Sequence, residues 1–468
     1  MVRDHRHCCF LALLLLLACA GCGPRAPEQA PVGTEPAAPP APLKLLVIDD
    51  DAVAQVAQRE WQARAGQPLE TESMTVAQFQ AKLERDEKLE GDVIYFPGYL
   101  LGELAERDQL RPLPTFATRE DFAEGDLALA DFQPLIRRRA MMWGKDPLVL
   151  ASTQRPLVLG YRTDLLEQQG LEPPETWTEL TEILRQLSAN AIPDAPSYPF
   201  AQPNDATSAG EGLVARAASY ATVPSRYSML FDLEAAQPLV DQPAFVRALR
   251  EMREDAQFAP PKKLNAATAM RQLLDGQVVL AIGTLPTEAA DDGEPLPLAF
   301  MPLPGAADRF EDNAWVARER PQCVTLLGAA SRSLGVLKNT RRQRAAWNLA
   351  VRLAGVEWGG MITAASQTAG PVRGSTTASS FTWMNGETAL SAEQAVQAAL
   401  AQEQSVFMPR IPGAAAYLNV LHPLIASSLE STSDPQQTLQ QLAEAWREIT
   451  LSQADPVSAY YRSLGLER

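Results

Sequence analysis

The chain has 468 residues, with 41 Lys and Arg against 57 Asp and Glu, for a formal charge of −16. That acidity argues against nucleic acid and against a broad anionic membrane face as partners. The length exceeds what one hydrophobic core ordinarily fills, so more than one core is expected.

Arg3 and Arg6 precede an apolar run at residues 8–18, CCFLALLLLLA, which is too short to span a bilayer comfortably. Cys19-Ala20-Gly21-Cys22 follows. Small residues directly before a cysteine, after such a run, resemble a bacterial lipobox. The resemblance implies cleavage before Cys22 and lipidation of its thiol. Cys19 is a second candidate, and an ordinary secretory signal cut near Gly21 is the alternative. Residues 23–42 carry prolines at 24, 27, 31, 36, 39, 40 and 42, a composition that reads as an extended tether. Losing residues 1–21 removes Arg3, Arg6 and Asp4 and takes the formal charge to −17. Besides Cys22, Cys323 is then the remaining cysteine, so no intramolecular disulfide is expected. His422 is the remaining histidine, which excludes a Cys/His zinc cluster by counting. We read His422, beside Pro423 at the end of an apolar patch, as a packing or surface residue. No Gly-x-Ser-x-Gly elbow, Walker loop or dinucleotide fingerprint appears, and no metal or cofactor is expected.

Residues 43–49, LKLLVID, read as a buried parallel strand. Asp49-Asp50-Asp51 ends it, and Val53, Val56, Ala57 and Trp61 recur at helical spacing up to a C-cap at Gly66. One aspartate caps that helix, or the trio helps bind a cation or a hydroxyl-rich ligand. Residues 69–74 form a second strand, and 76–89 an amphipathic helix on Phe79, Leu83 and Leu89. Residues 91–99, GDVIYFPGY, read as a strand with an aromatic turn, followed by a helix. Ligands of open α/β sheets bind beyond the carboxyl ends of strands, which puts Phe96 and Tyr99 there. Their rings suit the apolar face of a sugar, or they are core.

Residues 147–166, PLVLASTQRPLVLGYRTDLL, hold two strand-length apolar runs split by the polar turn Ser152–Arg155. We read this stretch as a crossing between two lobes. Beyond it, residues 177–187 form an amphipathic helix, and 191–208 a Pro- and Asn-containing loop at a lobe insertion or cleft edge. Gly210 and Gly212 open a helix through Tyr220. Residues 231–253 run from a loop into a helix. Residues 291–294 form an acidic turn, and 309–320 a polar loop excursion carrying Trp315. Residues 392–404 and 438–449 are helices.

Residues 92–113, DVIYFPGYLLGELAERDQLRPL, resemble the matching strand and helix of extracellular solute-binding proteins, the sugar-binding branch of ABC import systems. Residues 161–177, YRTDLLEQQGLEPPETW, resemble that family's signature at the crossing. Residues 272–286, QLLDGQVVLAIGTLP, resemble its helix and strand that end on a ligand-facing turn. Here that turn is Thr284-Leu285-Pro286, where several members carry a tryptophan. Pro302-Leu303-Pro304-Gly305 resembles the second crossing, and Gly370–Ser375 the return to the second lobe. Residues 335–353 resemble the family's strand, turn and long helix, and 408–417 and 437–450 its closing helices.

The resemblance implies a two-lobed, periplasmic-binding-protein-like α/β fold with a mostly parallel sheet in each lobe. Lobe 1 would be 43–153 plus 302–367, and lobe 2 158–298 plus 371–468, with crossings near 152–156, 299–303 and 366–371. It implies a lipid-anchored, monomeric protein that performs no chemistry. The protein would capture a small solute, a carbohydrate, by hinge closure and deliver it to an ABC permease. Asp50, Phe96, Tyr99, Thr284, Arg373 and Tyr417 are the expected ligand-binding residues. The alternatives are a flytrap-shaped sensor or scaffold without transport, and a hydrolase acting through a carboxylate pair.

Overall fold

A computed structural model describes residues 41–65, 67–113, 127–190, 195–286, 296–328, 331–365, 370–402 and 404–466. The signal segment, Cys22, most of the tether, Gly66, the acidic turn at 291–294 and much of the crossing at 366–371 lie outside the described residues. From Pro42 to Arg468 the chain is one compact unit.

The first lobe starts as the apolar runs dictate. Strand β1 (Leu43–Ile48) is followed by α1 (Asp51–Ala65), β2 (Leu69–Met74), α2 (Val76–Glu84), β3 (Val93–Pro97), α3 (Leu101–Glu106) and β4 (Leu110–Arg111). Parallel pairing of β1 with β2 and β3 buries Leu45, Val47, Val93 and Tyr95 completely. Thr75 and Gln78 form a capping box at the start of α2, satisfying two backbone donors.

Strand β5 (Leu150–Thr153) then joins this sheet, while β6 (Val158–Arg162) belongs to another. The chain therefore changes sheets across 154–157, as expected for the crossing. The second lobe follows with α4 (Thr163–Gln168), α5 (Trp177–Ala189), β7 (Phe200–Ala201), α6 (Ala209–Ala221), α7 (Pro243–Ala256), α8 (Ala266–Leu274), β8 (Leu280–Gly283) and β9 (Leu298–Pro302). Its sheet has the order β9-β6-β8-β7. Trp177, Arg216 and Asp255 form its buried polar centre. Arg216 donates to Asp255 at 2.5 Å and lies 4.4 Å over the Trp177 ring.

Three expectations are corrected here. The second sheet is not mostly parallel, because β6 pairs antiparallel with both β8 and β9. A strand entering from the crossing points away from the hinge, whereas β8 and β9 run back toward it. Residues 309–320 are not a loop. They belong to a hairpin, β10 (Ala306–Glu311) and β11 (Ala314–Gln322). Asp312 and Asn313 turn it with φ of 49° and 62°, the two positive angles a two-residue hairpin turn requires. Nor does the chain return to the first sheet at 302–305. Gly305 N–H donates to Glu175 O at 2.8 Å and Trp177 N–H to Gly305 O at 3.1 Å, tying this segment to α5. Strand β12 (Thr325–Leu327) follows, and the first sheet is regained at β13 (Arg332–Leu337), giving the order β2-β1-β3-β13-β4 with β5 also on β13.

The remainder is helical: α9 (Gln343–Ala354), α10 (Val356–Ala365), α11 (Gly374–Ser379), α12 (Gly386–Ala401), β14 (Ser405–Phe407) paired parallel to β12, α13 (Ala414–Ser428), α14 (Pro435–Ser452) and α15 (Pro456–Ser463). Helices α9 and α10 pack on the first lobe, α12 on β9, and α13 and α14 on α6 and α7. The last helix, α15, returns to α3. No helix among the described residues is long and apolar enough to cross a membrane.

Candidate functional site

Three strands of the first sheet deliver their carboxyl ends to one place. Asp49 follows β1, Thr75 follows β2, and Tyr99 lies two residues beyond β3. Together with Gln80 of α2 they line one side of a cavity of about 550 Å³. The other side belongs to the second lobe: Thr207 from the loop before α6, Glu211 from its first turn, Met408, and Asn419, His422 and Pro423 of α13. Parallel strands ending side by side leave a crevice at their carboxyl edge, and here a second lobe faces it.

Asn419 and His422 are three residues apart and so share a face of α13. Pro423 sits inside that helix without an N–H, so it offers no donor to the Asn419 carbonyl one turn back. His422 is nearly buried, and its Nδ1 accepts from Gly210 N–H at 3.2 Å. That bond leaves the ring proton on Nε2. Burial pushes the imidazole down to about 4, against a weaker upward pull from Asp205, so the ring is neutral at pH 7. Gly210 is required for this approach, because a Cβ there would lie 2.4 Å from Leu421 Cγ and 2.9 Å from Nδ1.

Glu211 is pushed up to about 8, chiefly by burial and then by Asp205, with Arg155 opposing. Asp205 accepts from Thr207 N–H at 3.0 Å and from the Ser208 hydroxyl at 2.8 Å. Arg155, in the crossing, donates to Leu285 O at 2.6 Å. Burial pushes the Tyr99 phenol up to about 12, with Arg332 opposing, so it keeps its proton at neutral pH. The site thus offers a ring and several hydrogen-bonding groups that both donate and accept.

The expected ligand residues separate on inspection. Tyr99 lines the cavity. Asp50 is beside it in sequence, but its carboxylate accepts from Val53 N–H at 3.3 Å and caps α1, while Asp49 takes the cavity wall. Phe96 is fully buried inside the first lobe, because β3 is covered on both faces. Tyr417 is likewise fully buried. It packs edge-on against Phe231 and Trp446, and its hydroxyl lies 2.9 Å from that of Thr450. Arg373 does not reach the cleft. It is a first-lobe clamp, stacked 3.8 Å over Phe132 and donating to the carbonyls of Leu127 and Ala354 at 2.7 and 2.6 Å. Thr284 is buried beyond β8, its N–H donating to Ala266 O at 3.0 Å, and it is not on the cavity wall. The loop expected at a cleft edge does supply Thr207. His422, expected to be a packing or surface residue, is nearly buried and also lines the cavity, while Glu211 and Asn419 are further lining residues that the sequence reading did not name.

Residues 59–389 match the sequence profile of a family described as bacterial extracellular solute-binding protein. Several solved structures share the fold. A solute-binding protein of an ABC transporter from Agrobacterium radiobacter K84, in complex with ribitol, is 15% identical with a TM-score of 0.65, over 88% of this chain and 99% of that one. The sugar-binding protein MalE from Xanthomonas citri is 17% identical with a TM-score of 0.64, over 88% and 98%. A solute-binding protein from Agrobacterium vitis S4 with bound D-mannitol is 14% identical with a TM-score of 0.62, over 88% and 98%. No curated protein sequence matches significantly.

Proposed function

The chain belongs to the bacterial extracellular solute-binding proteins, and from that premise we propose that it captures a neutral polyol or sugar and presents it to an ABC permease. The observation that carries the reading is the cavity itself. Its walls come from both lobes, and its size falls in the range of small-molecule sites. A solute seated between Tyr99 and Gln80 on one side and Asn419 and His422 on the other contacts both lobes only when they are together. Its differential affinity therefore favours the closed arrangement over an open one. Residues 154–157 are the first passage about which the lobes would rotate. The ribitol, mannitol and MalE neighbours support the choice of polyols and sugars as the solute class.

The proposal extends to the N-terminus, where Cys22 carries a lipid and the proline-rich tether holds the protein near its permease. Calorimetric titration with ribitol, D-mannitol, D-tagatose and maltose tests the capture reading, with small-angle scattering to follow shape. Binding with a smaller radius of gyration is expected. A solute that binds tightly without compaction removes the closure mechanism, and no binding across the panel removes the solute class. Mass spectrometry of the membrane-associated form should show a modified Cys22 at the N-terminus, and an unmodified N-terminus elsewhere would overturn the anchor.

A further inference from the structure

Glu211 is the carboxyl group that the second lobe contributes to the described cavity wall. It stands in the first turn of α6, where the helix dipole ordinarily favours a carboxylate. Among the described residues, no hydrogen bond contributes to holding its charge.

The groups around Glu211 compensate its charge only in part. In the loop before α6, Asp205 carries the same charge. On α13, His422 faces the cavity as a neutral ring whose Nδ1 is already taken by Gly210 N–H. From the crossing, Arg155 is the one cation that pulls the other way, and its Nη2 is engaged with the Leu285 carbonyl. Most charges of α7, which packs along α6, have partners of their own: Glu254 pairs with Arg185 of α5 and Arg253 donates to Ser433 O. Asp255 holds Arg216, and Arg247 holds Glu251 and Asp308. On β10, Arg309 pairs with Glu311. Across the cavity stand Asp49, another acid, and Tyr99, which keeps its proton.

We propose that Glu211 meets the solute as a neutral carboxylic acid, which selects uncharged polyhydroxy solutes and makes their capture pH-dependent. The proposal rests on the solute-capture reading above. A neutral carboxyl group carries one O–H donor beside its acceptor oxygens, as a sugar hydroxyl does, whereas a carboxylate only accepts. A solute that fills the cavity also strips the remaining water from this group. The anion would then be buried beside Asp205 and Asp49, and the neutral acid is favoured further. The filled site therefore holds the proton to higher pH than the empty one. In the empty site, burial and Asp205 push Glu211 up to about 8. By linkage, affinity is constant below that pH and falls above it, approaching roughly tenfold per pH unit.

The test is calorimetric titration of the full-length protein with ribitol, D-mannitol, D-tagatose and maltose at pH 6.5, 7.5, 8.5 and 9.5. Each titration is run in two buffers of different ionisation enthalpy, so that protons exchanged on binding are counted. A solute that binds should take up a fraction of a proton at pH 8.5, and its Kd should rise several-fold between pH 7.5 and 9.5. Glu211→Gln keeps a donor and an acceptor but cannot ionise. Its affinity, whatever its size, should not change over that range, and its proton count should be zero. A flat wild-type profile, an affinity that rises with pH, or a Glu211→Gln protein that keeps the wild-type slope overturns the inference while leaving solute capture standing. Absence of binding by the whole panel overturns both.

Discussion

His422 should make the protein acid-sensitive by an amount that can be isolated from everything else. Its imidazole is held at about 4 in the folded protein against an ordinary value of 6.5 in the unfolded chain. Between those values the unfolded state binds more protons than the folded one, so stability is fully present above pH 6.5 and is lost as pH falls through 4. The difference is about 2.5 pKa units, which by linkage removes roughly 1 kcal/mol by pH 5.5 and about 3 kcal/mol by pH 4. The physical event is specific. Protonation puts a hydrogen on Nδ1, where Gly210 N–H already donates at 3.2 Å, and places a charge in a nearly dry wall. Glu211 acts in the opposite sense down to about pH 4.5, because it is already neutral in the folded protein while acid removes its charge from the unfolded chain. The wild-type curve alone therefore understates the effect. The assay is urea unfolding of wild type and His422→Gln at pH 7, 5.5 and 4. The stability difference between the two should shift by about 3 kcal/mol in favour of the variant from pH 7 to pH 4. A difference that stays constant across that range would refute the argument, since it would place the titrating group elsewhere.

Tyr99→Ala should weaken polyol or sugar binding by roughly tenfold, about 1.4 kcal/mol, with a small change in melting temperature. Unchanged affinity with a large loss of melting temperature would show that its ring serves packing alone. Tyr417→Ala should do the reverse, losing about 3–5 kcal/mol in urea unfolding, because the ring is wholly enclosed by Phe231, Trp446 and the Thr450 hydroxyl. Asp255→Asn should lose a similar 3–5 kcal/mol by removing the 2.5 Å charge partner of buried Arg216 and leaving it Glu251 at 3.8 Å, whereas Arg216→Met with Asp255→Leu should recover much of it. A double variant no more stable than the single one would contradict that account.

Part of the architecture was legible because β1 and β3, LKLLVI and VIYFP, are nearly uninterrupted apolar runs, and Tyr99 followed from one topological rule about strand ends. The same rule misplaced Phe96. A strand covered on both faces hides every side chain, so being close to its end does not expose a ring. Asp50 and Asp49 differ by one residue in sequence, and only the cap geometry decides which of them faces the cavity. Tyr417 and Arg373 rested on resemblance alone, and such likeness places a segment without fixing which way its side chains point. His422 had a readable signal in its i, i+3 relation to Asn419, but nothing in the pattern says which face of an apolar helix meets a cavity. Glu211 was illegible for a deeper reason: an acid in a first helical turn looks like ordinary capping chemistry until the opposite wall is in place. The 309–320 hairpin was hidden by its polar composition, although Asp312-Asn313 is a turn pair suited to positive φ.

The seating of β13 between β3 and β4 bears on how this chain comes to be folded at all. Gly335 pairs with Ile94, partners separated by 241 positions, so the central ladder of the first lobe cannot close until the chain from β6 to β12, which includes the second lobe's sheet, has been synthesised. Until then β3 has an open edge and the lobe stays incomplete. Pairings of such sequence separation form slowly, because a long loop must be closed before any contact rewards it. A protein of an extracellular family, if it is exported before folding, benefits from that delay. The order of strands in the sheet acts as a timer that holds the first lobe open until the last third of the chain is under way.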